Sequence, residues 1–176
     1  AENTTASHNT ATGYQSLKAN TTGASNVADG DGALQNNTTA SWNTAAGQAA
    51  LYSTTTGICN TAVGKSALFA NTTGKENVAV GMGTLGANTT ASFNTAIGRG
   101  ALENSTTGVC NDASGFNTMR NNTTGSHNTA HGMEALYANT TGCLNASVGM
   151  RSLANNTTAS HNTAVGGCAL YTNSTG

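Results

Sequence analysis

The stretch Asn60–Gly81, NTAVGKSALFANTTGKENVAVG, returns to its own beginning after 17 residues: Asn60 to Gly64 reads NTAVG, and Asn77 to Gly81 reads NVAVG. Working outward, the same 17-residue unit fills the chain, 1–176, as a single repeat array. Copies start at positions 3, 20, 37, 54, 71, 88, 105, 122, 139 and 156, with a partial copy from 173, and no copy gains or loses a residue. The unit is N-T-T-[GA]-x-x-N-T-A-V-G-x-x-A-L-x-x, and its positions are called columns 1 to 17 below. Column 7 is Asn in all ten full copies: Asn9, Asn26, Asn43, Asn60, Asn77, Asn94, Asn111, Asn128, Asn145 and Asn162. Column 11 is always Gly; column 15 is Leu, with Met119 once; column 9 is Ala, with Ser147 once.

A unit of 17 residues is too short for a helical repeat, which takes about 33 residues to hold two helices and a turn. Its Gly and Thr also disfavour a single helix, and collagen would need Gly at every third position. The reading that remains is all-β: a parallel β-solenoid, or β-roll, with one repeat per coil and about ten coils, stacked at ~4.8 Å. Two short strands per coil are predicted, over columns 7–10 and over columns 14–17 extending to 1–3. Turns fall at columns 4–6 and 11–13, where Gly permits a tight corner.

Alternation along the first strand puts column 9, restricted to Ala or Ser, inside, and column 10, which accepts Asp29, Ser114 and His131, outside. Column 15 supplies the main core side chain, worth roughly 1.5–3 kcal/mol for each buried Leu. One of the Thr ranks, column 2 or column 3, is expected to point inward. The constant Asn column reads as a structural ladder, because a side-chain amide carries two donors and an acceptor and can bond along a stack.

Composition narrows the function. Leu, Ile, Val and Phe number 22 of 176, too few for a thick core, yet only 7% of residues are charged and Pro is absent, unlike a disordered chain. Six basic residues against seven acidic give no footprint for nucleic acid. No apolar run reaches the ~18 residues of a membrane span.

The run NTAVGKSALFANTTGKENVAVG resembles the head repeats of trimeric autotransporter adhesins (YadA-like heads), which carry an x-A-[IV]-G element at one corner of a left-handed parallel β-roll. It is also similar to N-T-A-x-G-x-x-A-L-x-x-N-T-T-G arrays of bacterial tail-fibre-like proteins. The resemblance implies a β-roll and an adhesive or fibrous role.

Candidate chemistry is sparse. His8, His127 and His161 share column 6, but the last two are two coils apart, about 9.6 Å, too far for one zinc. No nucleophile, metalloprotease or phosphate-loop motif occurs, so neither an enzyme nor a cofactor is expected. Cys59 and Cys110 lie three coils apart, about 14 Å, and no intrachain disulfide is expected with them, Cys143 or Cys168. Asn-x-Thr starts at Asn3, Asn20, Asn37, Asn71, Asn88, Asn122, Asn139, Asn156 and Asn173, making these candidate glycan acceptors. Column 8 holds Thr in six copies, an imperfect rank for ordering water on ice. Tyr52, Phe69, Tyr137 and Tyr171 in column 16, with Trp42 and Phe93 in column 6, are exposed rings suited to sugars or neighbouring chains.

The array starts at column 16 and stops at column 4 without polar caps, so an elongated assembly is expected. The resulting expectation is a structural or adhesive extracellular or cell-surface fibre. Its partners are copies of itself, as homo-oligomer or filament, with glycans or host cell surfaces as further candidates. The alternatives are an ice-binding solenoid and a carbohydrate-binding trimeric tail fibre or adhesin head.

Overall fold

A computed structural model describes residues 5–174. It is a parallel β-solenoid with one repeat per coil. Its strands are β1 (Thr10–Thr12), β2 (Val27–Asp29), β3 (Thr44–Ala46), β4 (Thr61–Val63), β5 (Val78–Val80), β6 (Thr95–Ile97), β7 (Asp112–Ser114), β8 (Thr129–His131), β9 (Ala146–Val148) and β10 (Thr163–Val165). They form one ten-stranded sheet in sequence order, every neighbour parallel. The register is constant: Thr61 pairs Val78, Ala62 pairs Ala79 and Val63 pairs Val80, and the same columns meet at every other step.

The strands cover columns 8–10 and alternate as the sequence predicts. The middle residue is buried in nine of the ten, and the flanking residues face out. Leu34, Leu51, Leu68, Leu85, Leu102, Met119, Leu136 and Leu153 are fully buried opposite Ala28, Ala45, Ala62, Ala79, Ala96, Ala113 and Ala130. The core is therefore thin, one large side chain deep, as expected from the composition.

The second half of the coil departs from expectation. Columns 12–17 and 1–3 form a stacked turn, not a strand. Columns 13 and 15 both sit in the left-handed region, as at Ser66 (φ 56) and Leu68 (φ 51), and this repeats from Gln15 and Leu17 to Cys168 and Leu170. Left-handed residues break the two-residue alternation, so columns 14 and 15 both point inward: Ala67 and Leu68 are each fully buried. The turn still bonds coil to coil, for instance Leu51 N–H to the Ala67 carbonyl (3.0 Å) and Ala70 N–H to the Gly86 carbonyl (3.1 Å). Neither Thr rank enters the core. Column 2 is half-buried and column 3 exposed, while column 1 turns inward in their place.

The invariant Gly of column 11 has two causes. At Gly64 φ is 128°, which only Gly adopts readily, and an added Cβ would lie 2.6 Å from the Gly81 carbonyl oxygen in the next coil. Glycine stacks on glycine at this corner along the rod.

The left-handed column 15 explains why it holds Leu or Met and never Ile or Val, since β-branched residues are true outliers there. Leu85→Met should therefore stay within about 1.5 kcal/mol of the parent. Leu85→Ile, nearly equal in volume, should cost on the order of 1–3 kcal/mol more through backbone strain. Urea denaturation of both variants checks this; equal midpoints would show that only volume matters at this column.

Candidate functional site

The polar interior is built from two columns of asparagine. Column 7 sits where the backbone enters the strand, and its N–H finds no backbone acceptor. The side chain of the preceding coil supplies one: Asn60 N–H donates to Asn43 Oδ1 (2.9 Å) and Asn77 N–H to Asn60 Oδ1 (3.1 Å). Asn60 Nδ2 donates both back to Asn43 Oδ1 (3.2 Å) and forward to the Gly74 carbonyl (2.9 Å). One amide thus joins three coils. The backbone-to-Oδ1 link runs unbroken from Asn9 through Asn26, Asn43, Asn60, Asn77, Asn94, Asn111, Asn128 and Asn145 to Asn162. Asn26 to Asn145 are buried, and Asn9 and Asn162 are half-buried.

Column 1, the column of candidate glycan acceptors, forms a second ladder. Asn37 Nδ2 donates to Asn20 Oδ1 (2.8 Å), Asn88 Nδ2 to Asn71 Oδ1 (2.9 Å), Asn139 Nδ2 to Asn122 Oδ1 (2.8 Å) and Asn156 Nδ2 to Asn139 Oδ1 (3.2 Å). Each Nδ2 also caps a column 4 carbonyl of its own coil, as Asn37 does with Ala40 (3.0 Å). Asn20, Asn37, Asn71, Asn88, Asn122, Asn139 and Asn156 are at most 2% exposed. The folded coil has no space for a sugar on those nitrogens, so the sequons there are a by-product of an inward Asn beside two Thr. Asn173 is half-buried, and Asn3 lies outside the described residues.

The ladder is interrupted at Thr54 and Ser105. The Thr54 hydroxyl donates forward to the Asn71 carbonyl (3.2 Å), leaving Asn37 Oδ1 with no partner. At the other break both Asn88 Oδ1 and Ser105 Oγ are unpaired. Such buried orphans cost about 1–3 kcal/mol each.

The threonine ranks divide their work. Column 2 hydroxyls bond along the axis, Thr55 Oγ1 to the Thr72 carbonyl (3.3 Å) and Thr72 Oγ1 to the Thr89 carbonyl (3.0 Å). Column 3 is Thr in every copy, and its side chains from Thr5 to Thr158 are exposed. The unbroken surface rank is therefore column 3, whereas column 8 is broken by Val27, Val78, Asp112 and Ala146.

The remaining surface carries scattered chemistry. All four cysteines are free thiols, Cys143 half-buried and the others exposed. His131 Nε2 lies 3.3 Å from Asp112 Oδ2 on the outer sheet face. Glu103 pairs with Arg120 (2.6 Å) and Glu134 with Arg151 (2.7 Å), each coupling the same column in successive coils. Hydrogen bonding to the carboxylate, then its charge, raises the pKa of both guanidinium groups. Among the described residues no three His, Cys, Asp or Glu side chains converge on a common point, and no helix is long and apolar enough to cross a membrane. Tyr52 stacks on Phe69 with centroids 5.2 Å apart, and Trp42 and Phe93 are 62% and 55% exposed.

Ser105→Asn should complete the column 1 ladder and raise stability by about 1–2 kcal/mol, since it gives a donor to Asn88 and removes an orphan hydroxyl. In column 7, Asn94→Leu should lower the melting temperature more than Ser92→Leu, because it strands the Asn111 N–H and the Gly108 carbonyl. Differential scanning calorimetry of the three variants checks both; no gain from Ser105→Asn would show that the interruption is not a defect.

Comparison with family models, curated proteins and solved structures gives no match for this chain.

Proposed function

We propose that the chain is a rod-forming structural or adhesive segment that works outside the cell or on its surface, in a homo-oligomer or filament. The observation that carries this reading is the direction of its bonds. Backbone, Asn and Thr ladders all run along one axis in constant register, which makes a stiff rod and leaves the outer columns free to vary. Its outer sheet face supports contact with further copies. Val27, Val63, Ile97, Val148 and Val165 are 39–72% exposed there, in a chain with few large apolar residues to spare. The similarity of Asn60–Gly81 to adhesin head and tail-fibre-like repeats agrees with it, as does the near absence of charge that would oppose lateral contact. Neither catalysis nor nucleic-acid binding is part of the proposal.

A second reading, ice binding, is favoured by the exposed Thr rank of column 3. It is the weaker one physically, because column 2 spends its hydroxyls on the neighbouring coil and one rank cannot template a two-dimensional lattice.

Electron cryo-microscopy and sedimentation equilibrium of the purified protein separate the readings. Elongated assemblies with a ~4.8 Å axial repeat, dispersed by Val63→Asp with Ile97→Asp at unchanged melting temperature, are the expected result. Single-chain rods at every concentration, with thermal hysteresis abolished by Thr90→Lys, would replace the fibre by the ice binder.

A further inference from the structure

One stretch of the variable surface is unlike the rest. Column 13 carries a side chain in most coils, but Gly83 and Gly100 occupy it in two successive coils. Their missing side chains open a hollow of about 400 Å³. Column 12 makes one wall with Lys65, Met82, Arg99 and Phe116, and column 16 makes the other with Glu103 and Arg120. A second hollow of about 350 Å³ continues it past Gly86, the only Gly in column 16, to the exposed ring of Phe69. The two share Ser66, Gly83 and Glu103, so they form one groove.

Three of the six cations in the chain line this groove, against one carboxylate. Glu103 is bound to Arg120 Nε, whereas Lys65 and Arg99 have no ion-pair partner among the described residues. The Arg99 guanidinium lies 5.7 Å from the centre of the Phe116 ring, which helps hold it in place over the wall. At the far end Phe69 is backed by its stack on Tyr52 and presents a fixed flat face. Phe69 and Phe116 are three coils apart, about 14 Å along the axis.

We infer that this groove binds an acidic oligosaccharide, a short run of pyranose rings bearing carboxylates. A pyranose has an apolar face that lies on an aromatic ring and hydroxyl edges that bond to polar side chains. Phe69 and Phe116 supply the rings, Asn104 and Asn117 the amides, and Lys65 with Arg99 the counter-charge for a uronate carboxylate. The length favours an oligosaccharide over a single sugar. Nucleic acid is disfavoured, since only three cations line the groove of a chain whose net charge is −1. The inference goes beyond the rod reading and does not depend on assembly.

The test is isothermal titration of the full chain with trigalacturonate, beside maltotriose and inorganic phosphate as probes of the sugar face and of charge alone. Binding with a dissociation constant on the order of 1 mM or tighter is expected for trigalacturonate, and at least tenfold weaker binding for the other two. Arg99→Gln should weaken it about tenfold, the loss of one charge-assisted contact. Gly83→Gln should fill the groove and abolish binding. It should lower the melting temperature only slightly: a side chain at φ 69 is strained, but an added Cβ meets nothing within 4 Å and Gln15 already holds the same column at φ 56. Absence of binding, equal binding of phosphate or maltotriose, or indifference to both substitutions would overturn the inference.

Discussion

The column 7 amide stands in for a missing piece of backbone. Where the chain turns into the strand, its N–H has no carbonyl to meet, and the Asn Oδ1 of the previous coil takes that place. The side chain is thus a member of the main-chain ladder, and it fits only if the next Asn arrives one full coil later. An added residue in any coil would move the acceptor from its donor and leave both buried and unpaired, a cost of about 1–3 kcal/mol for each group. This is why ten full copies show no slip in length. Parallel pairing, the leucine column and the glycine corner all inherit their register from it.

Size follows from the same geometry. The coil encloses room for one leucine, so the wall facing it is Ala in column 9, and the residue beside it is Ala, Ser or Thr in column 14. The corners are lined by Asn in columns 1 and 7, whose amides close onto column 4 carbonyls. The same amides crowd column 4, which holds only Gly or Ala: at Gly74 an added Cβ would meet Asn71 Oδ1 as well as the Ala91 carbonyl. A light chain dominated by Thr, Ala, Asn and Gly is therefore what a narrow, hydrogen-bonded tube demands. Its cohesion comes from many bonds along the axis, each worth about 1 kcal/mol net, added to a modest apolar column.

The repeat length, the first strand and the facing of columns 7, 9, 10 and 15 are legible in the sequence because each is a constant or an alternation. The second half of the coil is not. Leu, Ala and Glu seldom take positive φ, yet Leu68, Ala49 and Glu134 all do, and no residue preference announces it. The clue was negative: column 15 excludes β-branched residues. Column 1 misleads for another reason. Asn followed by two Thr is a sequon and also an inward amide beside an outer rank, and the text is the same. Its replacements, Thr54 and Ser105, are small and polar, which is the mark of a confined polar interior. The groove residues are scattered through a variable surface, and only the constant register shows that Lys65, Arg99 and Phe116 share one wall.

A solenoid separates the residues that hold it up from those that can act. Columns 1, 4, 7, 9, 11, 14 and 15 are committed to the tube, whereas columns 6, 12, 13 and 16 change from copy to copy, and column 5 varies while its Ser hydroxyls still bond the neighbouring coil, as Ser41 Oγ does in accepting from Ala24 N–H. Each outer column is a line of positions spaced ~4.8 Å apart on a stiff support. A few changes in adjacent coils therefore place side chains side by side with little further ordering, and the entropy of fixing them has already been met by the fold. Where two neighbouring coils lose their column 13 side chain and their flanks gain cations and rings, the surface acquires shape and charge together. Chemistry in such a chain resides in local departures from the repeat, and Gly83 with Gly100 marks the one where shape, charge and aromatic faces coincide.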